Sequence, residues 1–79
     1  MRVELRLYAS LRKYLPGEAP DGTCQIELDE GATIKSLFAA IHLPADAPKI
    51  IFLNGIHARG EEVLKEGDRV GAFPPVAGG

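Results

Sequence analysis

The sequence predicts an α+β fold of two layers, with one mixed sheet of four to five strands covered by one main helix. Three observations lead there. The strand candidates are interrupted once, by a stretch whose apolar residues recur at helical spacing. The first stretch alternates charged and apolar residues strictly, as a sheet with one covered face requires. A chain of 79 residues also encloses only one hydrophobic core, burying about 60–65% of its unfolded surface.

In chain order, residues Arg2 to Tyr8 place Val3, Leu5 and Leu7 on one side and Arg2, Glu4, Arg6 and Tyr8 on the other. Ser10 is positioned to cap a short helical turn through Leu15, with Leu11 and Leu15 on one face and the Pro16-Gly17 pair stopping it. The turn-rich GEAPDG leads to a second strand at Cys24 to Leu28. Thr33 then caps a helix whose Ile34, Leu37, Phe38 and Ile41 make one apolar stripe, with Pro44 as its expected stop. KIIFLNG reads as a strand apolar enough for a central position covered on both faces. NGIHARGEEVLKEGD reads as turns and short edge pieces, and Gly67-Asp68 sets up a last strand from Arg69 to Phe73. If the second strand returns antiparallel beside the first and the last lies parallel to it, the topology is the ubiquitin-like β-grasp.

Composition excludes several function classes. The chain is 46% hydrophobic and 25% charged with net charge −2, and its lysines and arginines are scattered, so it lacks the basic footprint of nucleic-acid or anionic-membrane binding. IIFL is far too short to span a bilayer, and the start MRVELRLYAS lacks a signal-peptide core, which makes a cytoplasmic protein the expectation. Cys24 is the only cysteine and is expected to pack rather than react. No phosphate loop, zinc spacing or nucleophile elbow is present, so no metal and no stably bound cofactor are expected. His42 reads as a helix-end residue, His57 as a turn residue, and Glu61, Glu62, Glu66 and Asp68 as a solvated face.

The chemistry is expected at the end of the sequence. Residues 1–73 form the domain and residues 74–79 an extended, flexible tail. Pro74 and Pro75 favour polyproline II, and six extended residues reach roughly 20 Å. Val76 and Ala77 are small, and Gly78 and Gly79 lack a Cβ, so the tail is fit to thread a narrow channel and present a carboxylate at Gly79 to another protein. Such a carboxylate is a poor electrophile until activated; adenylation by ATP supplies the leaving group that a sulfur nucleophile displaces. Parity along the first and last strands sends Tyr8 and Phe73 to the uncovered face, where they make an aromatic patch at the root of the tail if those strands are neighbours.

The ending GDRVGAFPPVAGG resembles that of the MoaD/ThiS family of ubiquitin-like sulfur carriers, and RVELRLYASLRKYLPG resembles that family's opening strand and short helix. The resemblance implies that Gly79 is adenylated by a ubiquitin-activating-type enzyme (MoeB/ThiF-like), which uses the ATP, and is then thiocarboxylated. It implies that Gly78 is the second tail glycine required for passage, and that Phe73 and Tyr8 contact partners. The protein is then a co-substrate or small subunit and not an enzyme on its own. FPPVAGG is most like the MoaD branch, small subunits of molybdopterin synthase, whose tail gives sulfur to a pterin precursor within the large subunit. Thiamin, cysteine, tRNA-thiolation and tungsten-enzyme pathways, and protein conjugation, stay open as alternatives.

Overall fold

The computed structural model describes residues 1–17 and 19–75. Five strands, one α-helix and one 3₁₀ helix follow in the order β1 (Arg2–Leu7), 3₁₀ (Ala9–Tyr14), β2 (Thr23–Glu27), α1 (Ile34–Ala40), β3 (Ile50–Leu53), β4 (Ile56–Ala58) and β5 (Arg69–Phe73). The sheet order is β2-β1-β5-β3-β4. β1 pairs antiparallel with β2 and parallel with β5, β5 pairs antiparallel with β3, and β3 with β4. This is the mixed sheet and β-grasp topology that the alternation and the element order predict.

The core lies between one sheet face and α1. Val3, Leu5 and Leu7 of β1, Val70 and Ala72 of β5 and Ile51 of β3 meet Ile34, Leu37 and Phe38 of α1, with Leu11, Leu43 and Leu64 closing the edges. The seven residues of α1 are too few to be stable alone, so its ends matter. Thr33 accepts from the Ser36 N–H while Ser36 accepts from the Thr33 N–H, a reciprocal cap. The next free donors, the N–H groups of Ile34 and Lys35, bond the carbonyls of Glu62 and Gly60, so the 59–64 loop is fastened across the helix start.

Three expectations are corrected. Ser10 lies inside the 3₁₀ helix, whose N-cap is Tyr8 with no side-chain bond; Leu11 and Leu15 are nonetheless buried as the spacing requires. α1 ends before Pro44. His42, at φ 62°, closes it: the His42 N–H bonds the Ala39 carbonyl, the Leu43 N–H bonds the Phe38 carbonyl, and Leu43 and Phe38 are both buried. Finally, β5 and not β3 is central, and β3 is covered on one face only: Ile51 is buried, while Ile50 and Phe52 are half-buried on the open face.

The segment read as turns and edge pieces supplies the turn of the β3–β4 hairpin and the edge strand β4. Asn54 and Gly55 at its tip have φ of 52° and 83°, the paired left-handed geometry that fits the twist of a two-residue hairpin.

Candidate functional site

The open face of the sheet carries an aromatic row. Parallel pairing of Leu5 with Val70 and Leu7 with Ala72 keeps the even-numbered positions of β1 and the odd-numbered positions of β5 together on that face. Tyr8 follows β1 directly, and its N–H bonds the Ala72 carbonyl at 3.1 Å, which seats its ring beside Phe73. The two rings meet edge to face with centroids 5.9 Å apart. Tyr8 is 41% exposed, so the 55–64 loop does not cover it.

The row continues beyond these two residues. Phe52 of β3 stacks on Phe73, centroids 5.7 Å apart and planes 13° from parallel, and His57 of β4 packs edge-on against Phe52 at 5.9 Å. The register explains the stacking. Gly71 stands opposite both Arg6 and Phe52, and without a side chain there the Phe52 ring leans diagonally onto Phe73. The Arg6 guanidinium caps the other end, 5.4 Å from the Tyr8 centroid. A shallow depression of about 370 Å³ lies over Gly71, walled by Tyr8, Phe52 and Phe73 and edged by Glu4, Arg6 and Arg69.

Tyr8 and Phe73 are the members expected from the sequence; Phe52, His57, Gly71 and Arg6 are added by the structure. Phe52 was legible by parity, since it alternates with Ile51 and Leu53; assigning KIIFLNG to a doubly covered strand hid it. Pro74 and Pro75 leave the sheet directly after Phe73 and line a groove with Leu11, Tyr14 and Pro48. Val76, Ala77, Gly78 and Gly79 lie outside the described residues.

The acidic residues between 61 and 68 do not form a bare solvated face. Glu62 accepts from the N–H groups of Arg59 and Gly60 at 2.9 and 2.7 Å, and these bonds, with its own backbone N–H, hold its carboxyl below the ordinary value. Glu66 accepts from the Arg2 N–H, and Asp68 from the Lys65 N–H and the Asn54 amide. Glu61 pairs with Lys35. Glu66 and Asp68 thus tie their loop to β1 and to the β3–β4 turn, Glu62 orders its own loop, and Glu61 makes only an exposed surface pair. Among the described residues no cluster of His, Cys, Asp and Glu could hold a metal ion, and no helix is long and apolar enough to cross a membrane. Cys24 is a free, half-buried thiol on the edge strand β2.

Comparison with known proteins gives the same fold and narrows the family. Residues 1–78 match the family described as Mut7-C ubiquitin. Among curated proteins, none matches the chain in sequence. A Pyrococcus furiosus protein described as molybdopterin converting factor, subunit 1, is 31% identical, with TM-score 0.73, covering 95% of this chain and 98% of its own. SAMP1 of Haloferax volcanii is 26% identical, with TM-score 0.74 and full coverage of both chains. In Helicobacter pylori, subunit 1 of molybdopterin-converting factor, seen in complex with subunit 2, shares the fold at 24% identity and TM-score 0.65, again over both whole chains. By these matches, and with the β-grasp sheet order already described, the chain belongs to the Mut7-C ubiquitin family and is a ubiquitin-like protein of the MoaD/ThiS type.

Proposed function

We propose that this protein is a sulfur carrier that acts through a carboxylate at Gly79, with the open sheet face as its docking surface. The observation that carries the reading is the row Tyr8, Phe73, Phe52 and His57, which runs across four strands and includes Phe73, the residue from which Pro74 and Pro75 begin the tail. A partner that grips the row receives the tail in a defined direction.

The chemistry follows from the tail's composition. A carboxylate oxygen of Gly79 attacks the α-phosphate of ATP in a ubiquitin-activating-type partner, and pyrophosphate leaves. A hydrosulfide-equivalent nucleophile then adds to the acyl carbon and AMP leaves, so that one oxygen is exchanged for sulfur. The domain contributes no catalytic group to either step; it positions the acyl carbon. Phe73, Tyr8, Phe52, Pro74 and Pro75 serve docking, and Val76, Ala77 and Gly78 serve passage into the partner's channel. For the destination we propose the large subunit of molybdopterin synthase, supported by the 31% identity to the Pyrococcus furiosus subunit 1 protein.

The test begins with intact-mass measurement of protein purified from its native cells, which reads both whether the mature chain ends at Gly79 and whether sulfur has replaced oxygen. Incubation with the activating enzyme, ATP and a sulfur source is expected to complete that exchange, and addition of the large subunit with a pterin precursor to reverse it. A mature chain that runs past Gly79, or sulfur loading that survives deletion of Gly79, overturns the reading. A second reading, protein modification, is favoured by the match to SAMP1, which a related solved structure describes as small archaeal modifier protein 1. It predicts lysine-linked conjugates on denaturing gels that vanish when Gly79 is deleted.

A further inference from the structure

On the helix side of the sheet, away from the aromatic row, a second concavity of about 560 Å³ opens between the C-terminal half of α1, the loop that follows it and the end of β4. Its floor is apolar, made by Phe38, Leu43 and Ile51, all buried. Its rim carries three cations, Lys35, Lys49 and Arg59, and no acidic residue lines it. In a protein of net charge −2 that local sign is the reverse of the whole.

The rim is built. Lys49 Nζ lies 2.8, 3.3 and 3.4 Å from the carbonyl oxygens of Ala47, Ala45 and Pro44 and 5.7 Å from the centre of the Phe38 ring, so it fastens the 44–48 loop into one wall. Gly60, at φ 121°, makes the opposite wall. Its carbonyl accepts the Lys35 N–H, and a Cβ there would come within 3.2 Å of Lys35 Cγ, so the missing side chain is what lets the lysine stem lie across the mouth. Lys49 has its donors committed to carbonyls and supplies field alone. Lys35 has only an exposed 3.6 Å pairing with Glu61, which holds it weakly. Arg59 takes part in neither of the two ion pairs among the described residues; Glu62 beside it is held by backbone N–H groups, leaving the guanidinium fork available to a bidentate acceptor.

We propose that this concavity binds a small organic anion, with an aromatic body of about two fused rings on the Phe38, Leu43 and Ile51 floor and a carboxylate or phosphate held by Arg59 and Lys35. The volume falls within the range of small-molecule sites, which pair an apolar lining with a few placed polar groups. Charge complementarity selects the anion, and the apolar floor selects against a bare inorganic ion. The site shares no lining residue with the depression over Gly71, so it stands or falls independently of sulfur carriage.

The test is a titration of the full-length, ¹⁵N-labelled protein with 2-naphthoate, read by amide chemical shifts. Saturable shifts are expected at Ala39, Leu43, Ala47 and Gly60, with those of Phe73 and Tyr8 unmoved. Arg59→Gln is expected to weaken binding at least fivefold, and the uncharged isostere 2-naphthalenemethanol to bind at least fivefold more weakly than the naphthoate. Ala39→Leu, a change at an exposed helix position that fills the mouth, should abolish the shifts while leaving the melting temperature in place. Equal binding of the alcohol, an unchanged affinity in Arg59→Gln, or no saturation at millimolar naphthoate overturns the proposal. So does movement of the same resonances on simple dilution or on removal of residues 76–79, either of which would give the concavity to a second copy or to the chain's own tail.

Discussion

Glu62 illustrates how much one side chain can organise in a protein this small. Its two carboxylate oxygens take the N–H groups of Arg59 and Gly60, and its own carbonyl takes the N–H of Ile34 at the start of α1. Because those bonds favour the ionised form, its folded-state pKa lies below the ordinary 4.5. The stability it contributes is therefore present above about pH 4.5 and is lost as pH falls through the lowered value. Glu62→Gln should be less stable than the native protein at neutral pH, with the gap closing in acid. Urea unfolding at a series of pH values reads this, and a gap that is constant down to pH 3 would show the effect to be packing. His42 poses the opposite case. It holds a left-handed φ of 62° that glycine adopts without the Cβ cost, and its side chain is exposed. His42→Gly should raise stability by about 0.5–1 kcal/mol, seen as a higher urea midpoint at an unchanged slope. A lower midpoint would mean that the imidazole makes a contact worth more than the backbone strain.

At the scale of elements, the two ends of α1 mark what a sequence reveals. The start was legible because Thr33 is a residue type whose hydroxyl caps helices, and its partner Ser36 stands at the right spacing. The stop was misplaced because the signal sought was proline, whereas the closure is a backbone motif that tolerated a histidine where glycine is usual. β3 was misread for a related reason. A run of four apolar residues looks the same whether both faces of the strand are covered or only one is. The second case makes a prediction about Phe52. Half-buried and stacked on Phe73, it should cost only about 1–2 kcal/mol on replacement by alanine, against about 2–5 kcal/mol for Leu37→Ala in the sealed core. Yet Phe52→Ala should weaken binding of the activating enzyme at least tenfold, measured by calorimetry at a temperature well below its melting point. Native affinity in Phe52→Ala would remove β3 from the docking surface and leave it to Tyr8 and Phe73.

For the molecule as a whole, the consequential fact is that the last strand is the central one. β5 is hydrogen-bonded to β1 on one side and to β3 on the other, so Phe73 and the prolines after it leave from a strand held along both edges. This arrangement was only half legible. Alternation and strand order allowed the parallel β1–β5 pairing, but the sequence carries no local mark of which strand sits in the middle, because that is decided by contacts between residues far apart in the chain. Under the proposed function, a partner that reads both the aromatic row and the carboxylate of Gly79 is sensitive to the number of residues between them. Insertion of Gly-Ser between Pro75 and Val76 adds roughly 7 Å of extended chain. It should leave the melting temperature and the affinity of the tail-independent docking unchanged, since it touches neither the core nor the row. It should nevertheless lower the rate of sulfur loading at least tenfold, because the acyl carbon overshoots the adenylation site while the docked domain stays in place. Loading at the native rate would mean that the partner captures the tail without reference to the sheet, and the row would then need another occupant.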